Sequence, residues 1–361
     1  MFMDKFMRYQ MVAILSAILF GVSTPLSKIL LGQIAPIPLA AFLYIGSSIG
    51  LLVFQQIDHL IRRQSKAEAS LEKKDTPWLI GAIFSGGIIA PILLMSGLRI
   101  TPASTASLLL NFEGVATALV AALFFSEHIG KRVWVALVLI TLASIFLSWD
   151  FTNQWGFSIG AIEILCACFF WGLDNNFTRN ISLKNPFSIV VIKGFSAGLF
   201  SLFLAFLLKN PIPSLKIILF AMLLGCFSYG FSLVLFVVAL RNLGSARASA
   251  FFGTAPFIGA TLSLILFKSV PNIMFIISLP VMIVGTILLF REEHSHKHFH
   301  EYIAHEHRHS HTDDHHNHPH MPQEVPKSGY HSHFHIHEPI EHEHPHVPDI
   351  HHRHSHLPKK K

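Results

Sequence analysis

Apolar runs broken by short polar connections fill the first 290 residues of this chain. A bilayer core about 30 Å thick needs roughly 20 mostly apolar residues per helix, because every backbone polar group must be satisfied within the span. Ten runs meet that condition, near residues 9–31, 36–57, 78–98, 102–125, 132–149, 155–177, 186–208, 215–240, 245–267 and 271–290. The pattern predicts an all-α polytopic membrane protein of about ten transmembrane helices. Its first run follows Lys5 and Arg8, has full span length and lacks a small-residue cleavage site, so it reads as a retained span, with a signal peptide as the lesser alternative.

Composition agrees: 52% of the 361 residues are hydrophobic and 13% charged, against about a quarter charged in ordinary soluble domains. The three cysteines, Cys166, Cys168 and Cys226, lie inside apolar runs and read as small core hydrophobes. Charge also gives an orientation. The one long internal connection, Asp58–Pro77, holds Arg62, Arg63, Lys66, Lys73 and Lys74. With both termini on the cytoplasmic side, the inner segments collect these five with Lys5, Arg8, Lys131, Arg132, Arg179, Lys184, Arg241 and Arg247, and the outer ones only Lys28, Arg99, Lys209, Lys216 and Lys268. Retained positive charge marks the cytoplasmic face, so both ends are expected there, in a cytoplasmic (inner) membrane.

The two halves repeat. Phe20-Gly21 with Lys28 matches Trp171-Gly172 with Arg179, at an offset of 151. Pro38, Gly46 and Gly50 match Pro186, Gly194 and Gly198, at 148, and Leu98-Arg99 with Ala106-Ser107 matches Leu240-Arg241 with Ala248-Ser249, at 142. The offset shrinks as it must if the Asp58–Pro77 connection has no counterpart. Five spans per copy is an odd number, so the copies insert with opposite orientation, the architecture of many secondary transporters. The expected organisation is a first repeat over 1–149, a second over 150–290 and a tail over 291–361.

The stretches Phe20-Gly21-Val22-Ser23-Thr24-Pro25-Leu26-Ser27-Lys28, Leu98 to Ser107 and Leu123-Phe124-Phe125-Ser126-Glu127 resemble motifs of the drug/metabolite transporter superfamily, specifically its EamA-type ten-span members. The resemblance covers about residues 10 to 290 and implies an exporter or exchanger of amino acids, metabolites or drugs, with a central cavity between two five-helix halves. It also brings Ser23 and Thr24 among the candidate site residues. The chain departs from the family at Asn111-Phe112-Glu113-Gly114, where many members have a proline; Pro256 holds the position that aligns with Gly114.

Carboxylates at membrane depth are costly and are paired, protonated or exposed to water. Glu113, in mid-span four, reads either as a substrate-amine or proton site or as a neutral acid bonded to a neighbouring helix. Asn111 points elsewhere on the same helix and reads as packing. Glu163 and Asp174, eleven residues apart in span six, share a helix face; Asp174 with Asn175 and Asn176 also reads as an interfacial cluster. Lys193 either snorkels to the interface or pairs with one of these acids. Arg99, Arg241 and Glu127 read as span-end anchors, and Trp78, Trp134, Trp149, Trp155 and Trp171 mostly as lipid-facing and interfacial groups. Pro25, Pro91 and Pro256 are sites where a helix can bend and free carbonyls.

The tail, residues 291 to 361, holds 23 of the 25 histidines, with 8 Lys+Arg and 11 Asp+Glu. It repeats His-x-His at His294, His296, His298, His300, then His305, His307, His309, His311, then His331, His333, His335, His337, then His342, His344, His346. Residues two apart in extended chain face the same way, and neutral imidazole suits zinc, nickel, cobalt and copper. Its proline, histidine and charge content predict no ordered domain. No cofactor is required by the body. The expected partners are a small-molecule solute, the bilayer, metal ions at the tail and, as a candidate assembly, a second copy; nucleic acid is not among them. The leading function is therefore a secondary transporter for a small organic solute. A transition-metal transporter (nickel, cobalt or zinc) is the alternative, though the spans offer Glu113, Glu163, Asp174 and cysteines but no mid-span histidine. No nucleotide loop or zinc-hydrolase motif points to an enzyme.

Overall fold

The computed structural model describes the chain apart from residues 1, 63–68, 126–128, 150–157, 182–183, 244–250, 291–293, 301–302, 310–330, 338–339 and 347–361. Among the described residues, ten helical passages follow the sequence pattern. Span 1 is Phe2–Gly21 with Ser23–Leu30, span 2 Pro36–Arg62, span 5 Lys131–Ser148, span 6 Ile159–Asn180, span 7 Pro186–Leu207 and span 10 Ile273–Phe290. Span 3 runs from Thr76–Ala82 through Ile83–Ile89 to Ala90–Ile100, and span 8 from Leu215–Gly225 through Cys226–Phe231 to Ser232–Leu243. Span 4 is Ala103–Leu109 with Phe112–Phe125, and the described part of span 9 is centred on Ala255–Phe267. Seven of these passages are long and apolar enough to cross a membrane on length and composition alone. Spans 9 and 10 are shorter in their described parts, and span 6 carries Glu163, Asp174 and Arg179.

The bends obey the repeat. The middle turns of spans 3 and 8, Ile83–Ile89 and Cys226–Phe231, are both π-helical. They share Phe-Ser-x-Gly: Phe84-Ser85-Gly86-Gly87 and Phe227-Ser228-Tyr229-Gly230. In span 3, Pro91 follows directly and has no N–H to continue the α ladder; span 8 makes the same turn without a proline. Spans 4 and 9 break at matched points. Asn111 Nδ2 donates to Leu108 O at 2.9 Å, and Thr254 Oγ1 donates to Phe251 O at 2.6 Å. In each, a side chain takes a carbonyl three residues back and competes with the helix for it. Pro256 then starts the helix after the second break.

Packing is symmetric as well. Span 2 lies against span 7, span 5 against span 10 and span 4 against span 9, while span 3 pairs with span 6 as span 8 pairs with span 1. The fold is two inverted five-helix repeats. Backbones approach closely at the equivalent Gly21 and Gly172, where a Cβ would fall 2.5 Å from Ala255 O and 2.8 Å from Thr117 N, and closer still at Gly225 and Gly46, where it would fall 1.9 Å from Leu43 O and 2.1 Å from Met222 O. Small residues permit this approach where lipid supplies no hydrophobic drive between helices.

Three expectations change. Trp171 is buried rather than interfacial, whereas Trp78, Trp134 and Trp149 are exposed. Among the cysteines, Cys168 is buried but Cys166 lies on the outer surface, and all three are free thiols. The Asp58–Pro77 connection is partly structured: span 2 extends through Arg62, and Asn185 N donates to Ala69 O at 2.9 Å. Trp155 and Glu127 lie outside the described residues.

The tail is described in four segments. They are four extended heptapeptides, β1 (His294–His300), β2 (Ile303–His309), β3 (His331–His337) and β4 (Ile340–His346), paired antiparallel as β1 with β4 and β2 with β3. The His-x-His alternation has the period of a strand, and a ladder of two strands is marginal in water by itself.

Candidate functional site

Span 6 presents three consecutive polar residues to three neighbours. Asp174 is buried and forms an ion pair with Lys193 of span 7; Thr178 Oγ1 also donates to Asp174 Oδ1 at 3.0 Å. Lys193 thus pairs with an acid, and Asp174 is buried among the helices. Asn175 is exposed, and its Nδ2 donates to Glu113 Oε1 at 2.9 Å and to Thr117 Oγ1 at 3.1 Å on span 4. Asn176 Nδ2 donates to Thr117 O at 3.1 Å and to Gly172 O at 2.8 Å, tying span 6 to the backbone of span 4.

The π turn of span 3 makes room for this cluster. A Cβ at Gly86 would lie 1.9 Å from Asp174 Oδ2, so only glycine admits the carboxylate there. The Gly86 carbonyl accepts from Tyr44 Oη at 2.8 Å and from Trp171 Nε1 at 3.1 Å. A π turn displaces carbonyls from the regular ladder, and two donors from spans 2 and 6 satisfy this one. Next to it, Tyr44 and Tyr229 have ring centroids 5.7 Å apart. Tyr229 lies edge-on to Phe20 at 5.9 Å, and Phe20 lies 5.2 Å from Phe252. An aromatic wall from spans 2, 8, 1 and 9 thus stands beside a charged cluster from spans 3, 4, 6 and 7.

The break in span 4 puts Glu113 in the first turn of Phe112–Phe125, where the partial positive charge of a helix N-terminus favours a carboxylate. Glu113 is half-buried. Asn111, two residues before it, turns away. It is buried and bonded to Leu108 O, with Thr286 Oγ1 of span 10 donating to its Oδ1 at 3.3 Å. Glu163 does share with Asp174 the face against span 3, but at the other end: it packs at Gly97, and its Oε2 has no hydrogen-bond partner among the described residues. Ser23 and Thr24 are buried just past the bend of span 1, with Ser23 against the Tyr229 phenol. The side chains of the tail histidines lie outside the described residues. Where side chains are described, no group of three His, Cys, Asp or Glu is assembled to hold a metal ion.

Tyr44, Thr117, Thr178, Tyr229 and the structural role of Trp171 escaped the sequence reading. The signal for Gly86 and Tyr229 was the Phe-Ser-x-Gly match between spans 3 and 8, which continues the repeat register. No signal marked Thr117 or Thr178, which matter only through the partners the fold brings to them.

Away from the spans, a second charge cluster joins the first-half connection to the link between spans 6 and 7. Glu72 pairs with Lys184 and, at 2.9 Å, with Lys74; Lys184 also lies 3.7 Å from Asp75. These two ammonium groups pull the Glu72 carboxyl down to about 2, and Glu72 in turn raises the Lys74 ammonium.

Broken helices, paired π turns and a satisfied polar cluster within a doubled helical body define a multi-pass membrane protein. The sequence profile of the EamA-like transporter family matches residues 7–149 and again 158–291, and the chain belongs to that family. It is 29% identical over 293 residues to an uncharacterized transporter of Methanothermobacter thermautotrophicus, covering 77% of this chain and 84% of the relative. A solved crystal structure covering 78% of this chain and 95% of its own superposes with a TM-score of 0.56 at 16% identity, a likeness of fold alone.

Proposed function

We propose that the protein is a secondary transporter that exports or exchanges a small organic solute, a metabolite, amino acid or drug, by alternating access. It lies in the cytoplasmic membrane with both termini inside. The observation that carries this reading is the Glu113–Asn175 contact at the break of span 4, beside the Asp174–Lys193 pair and the tyrosine wall. Glu113 offers a negative charge to an amine, the aromatic faces favour a cation, and Lys193 offers a positive charge to an acid. Rocking of the two repeats then exposes the cluster to either side in turn. The histidine tail binds transition-metal ions and makes no contact with the transported solute.

The test compares full-length protein with a chain ending at Glu293, in proteoliposomes, against organic solutes, zinc and nickel. Organic-solute flux is expected to survive truncation, with no metal flux in either form. Metal flux through the truncated protein would instead make the spans a metal pathway. A reporter active only in the cytoplasm, fused after Phe290, is expected to give signal; activity there of a reporter that works only outside would reverse the orientation.

A further inference from the structure

The proposal that the tail binds metal leaves open whether each His-x-His run chelates by itself or whether distant runs act together. The backbone pairing bears on this. In the ladder of β1 with β4, His294 faces His346, His296 faces His344 and His298 faces His342. The ladder of β2 with β3 does the same from His305 opposite His335 to His309 opposite His331. All these facing pairs are symmetric in sequence about His320. The phase of the pattern changes between the ladders, from even-numbered to odd-numbered histidines, and it changes on both sides of His320. Histidine therefore meets histidine in both ladders, although the runs were not in one phase to begin with.

Strand periodicity puts alternate residues on one face, so each ladder carries three cross-strand histidine pairs on one face. The other face of the outer ladder carries mixed residues, such as Lys297 opposite Glu343 and Phe299 opposite Glu341. Directly opposed residues have Cβ atoms about 4.5–5.5 Å apart, a spacing from which two imidazoles reach one ion at bonds of about 2.0–2.1 Å. Two adjacent pairs supply four nitrogens, a complete set for a tetrahedral late first-row divalent ion. A two-stranded ribbon is only marginally stable in water, and binding that requires the paired form stabilises that form.

We propose that the tail is a metal-clasped ribbon: divalent transition ions are held between β1 and β4, and between β2 and β3, by histidines from opposite strands, so that metal joins β1 to β4 across more than 40 residues of sequence and β2 to β3 across more than 20. This rests on the reading that the tail binds metal, and it adds which histidines share an ion. Each ion is then a cross-link rather than a local bead, and the ribbon closes when metal rises.

Full-length protein in detergent micelles, titrated with zinc chloride and digested with trypsin, tests it. Lys297 lies in β1 and Arg308 in β2, while Lys327 lies in sequence between β2 and β3 and serves as an internal reference for the protease. Zinc is expected to slow cleavage after Lys297 and Arg308 about tenfold relative to Lys327 once it exceeds its Kd about tenfold. In the triple variant His342→Ser, His344→Ser, His346→Ser, the protection at Lys297 is expected to vanish and that at Arg308 to remain. Persistent protection at Lys297 in that variant would overturn the ribbon, since β1 would then chelate by itself. Equal protection at all three sites would overturn it as well, as general compaction. Equilibrium dialysis separates the two levels: if the full chain retains no zinc, metal binding by the tail fails outright, whereas retained zinc with an insensitive Lys297 refutes only the pairing.

Discussion

Where the π turn of span 3 has Gly86, that of span 8 has Tyr229. Around Gly86 the space is filled by Asp174 from span 6, with its Lys193 partner beside it; around Tyr229 it is filled by the phenol itself, against Phe20 and Tyr44. The span 1 residues that correspond to Asp174 and Asn175 are Ser23 and Thr24, small and neutral. Both halves thus keep the same bends but carry different chemistry, charge in one and aromatic surface in the other. On the proposed transport function, the shared bends serve two repeats that rock about a common centre. The side chains are free to diverge, because a solute has two ends and a symmetric site would recognise only a symmetric one.

The largest effect is expected from making the halves alike. Gly86→Tyr puts a Cβ inside the Asp174 carboxylate and displaces two hydrogen bonds to the turn, so size-exclusion chromatography in detergent is expected to show little or no monodisperse protein. A folded, active Gly86→Tyr variant would break the comparison. Tyr229→Ala, by contrast, leaves the bend in place and costs about 3–5 kcal/mol, the usual penalty for removing a buried aromatic ring.

The ion pair comes next. Removing one partner of a buried pair leaves an uncompensated charge and costs about 3–5 kcal/mol. Asp174→Asn and Lys193→Met are therefore each expected to lower the unfolding temperature, and the double variant is expected to recover most of the loss. Additive losses in the double variant would show that the two side chains act independently.

Glu113→Gln sharpens the distinction between structure and transport. The substitution keeps shape and the acceptor for Asn175 but removes the charge, so thermal stability is expected to change little. Hydrogen bonds to charged groups contribute about 1.5–3 kcal/mol, so flux of a cationic solute in proteoliposomes is expected to fall about tenfold or more. Unchanged flux at every pH would assign Glu113 to packing.

The smallest effect belongs to the Asp58–Pro77 connection, which the second half lacks. The folded-state Glu72 value of about 2 lies below its ordinary 4.5. Its contribution is therefore fully present above about pH 4.5 and is lost as pH falls through about 2. Glu72→Gln is expected to lower the unfolding temperature slightly near neutrality, with the difference from wild type shrinking toward pH 2 and under high salt. A difference that grows on acidification would contradict the pairing with Lys184 and Lys74.

The sequence by itself determined the number of passages, their approximate limits and the doubling of the body, because lipid demands long apolar runs and the paired Gly, Pro and Lys/Arg positions survive as a visible register. It also marked Glu113, Asp174, Asn175 and Lys193, since polar groups stand out against an apolar background. It left two questions open: whether Lys193 reaches lipid headgroups or an acid, and whether Asp174 lies at an interface or in the interior. Those answers depend on which helices become neighbours and on how a single turn is wound. Only the tertiary structure set the π turn that opens room at Gly86, turned Trp171 inward to its carbonyl, and broke span 4 so that Glu113 begins a helix while Asn111 faces span 10. Contacts among spans far apart in the chain carry no periodic signal of their own, and in a membrane, where every span is apolar, the pattern that reveals a helix says little about which side of it is buried.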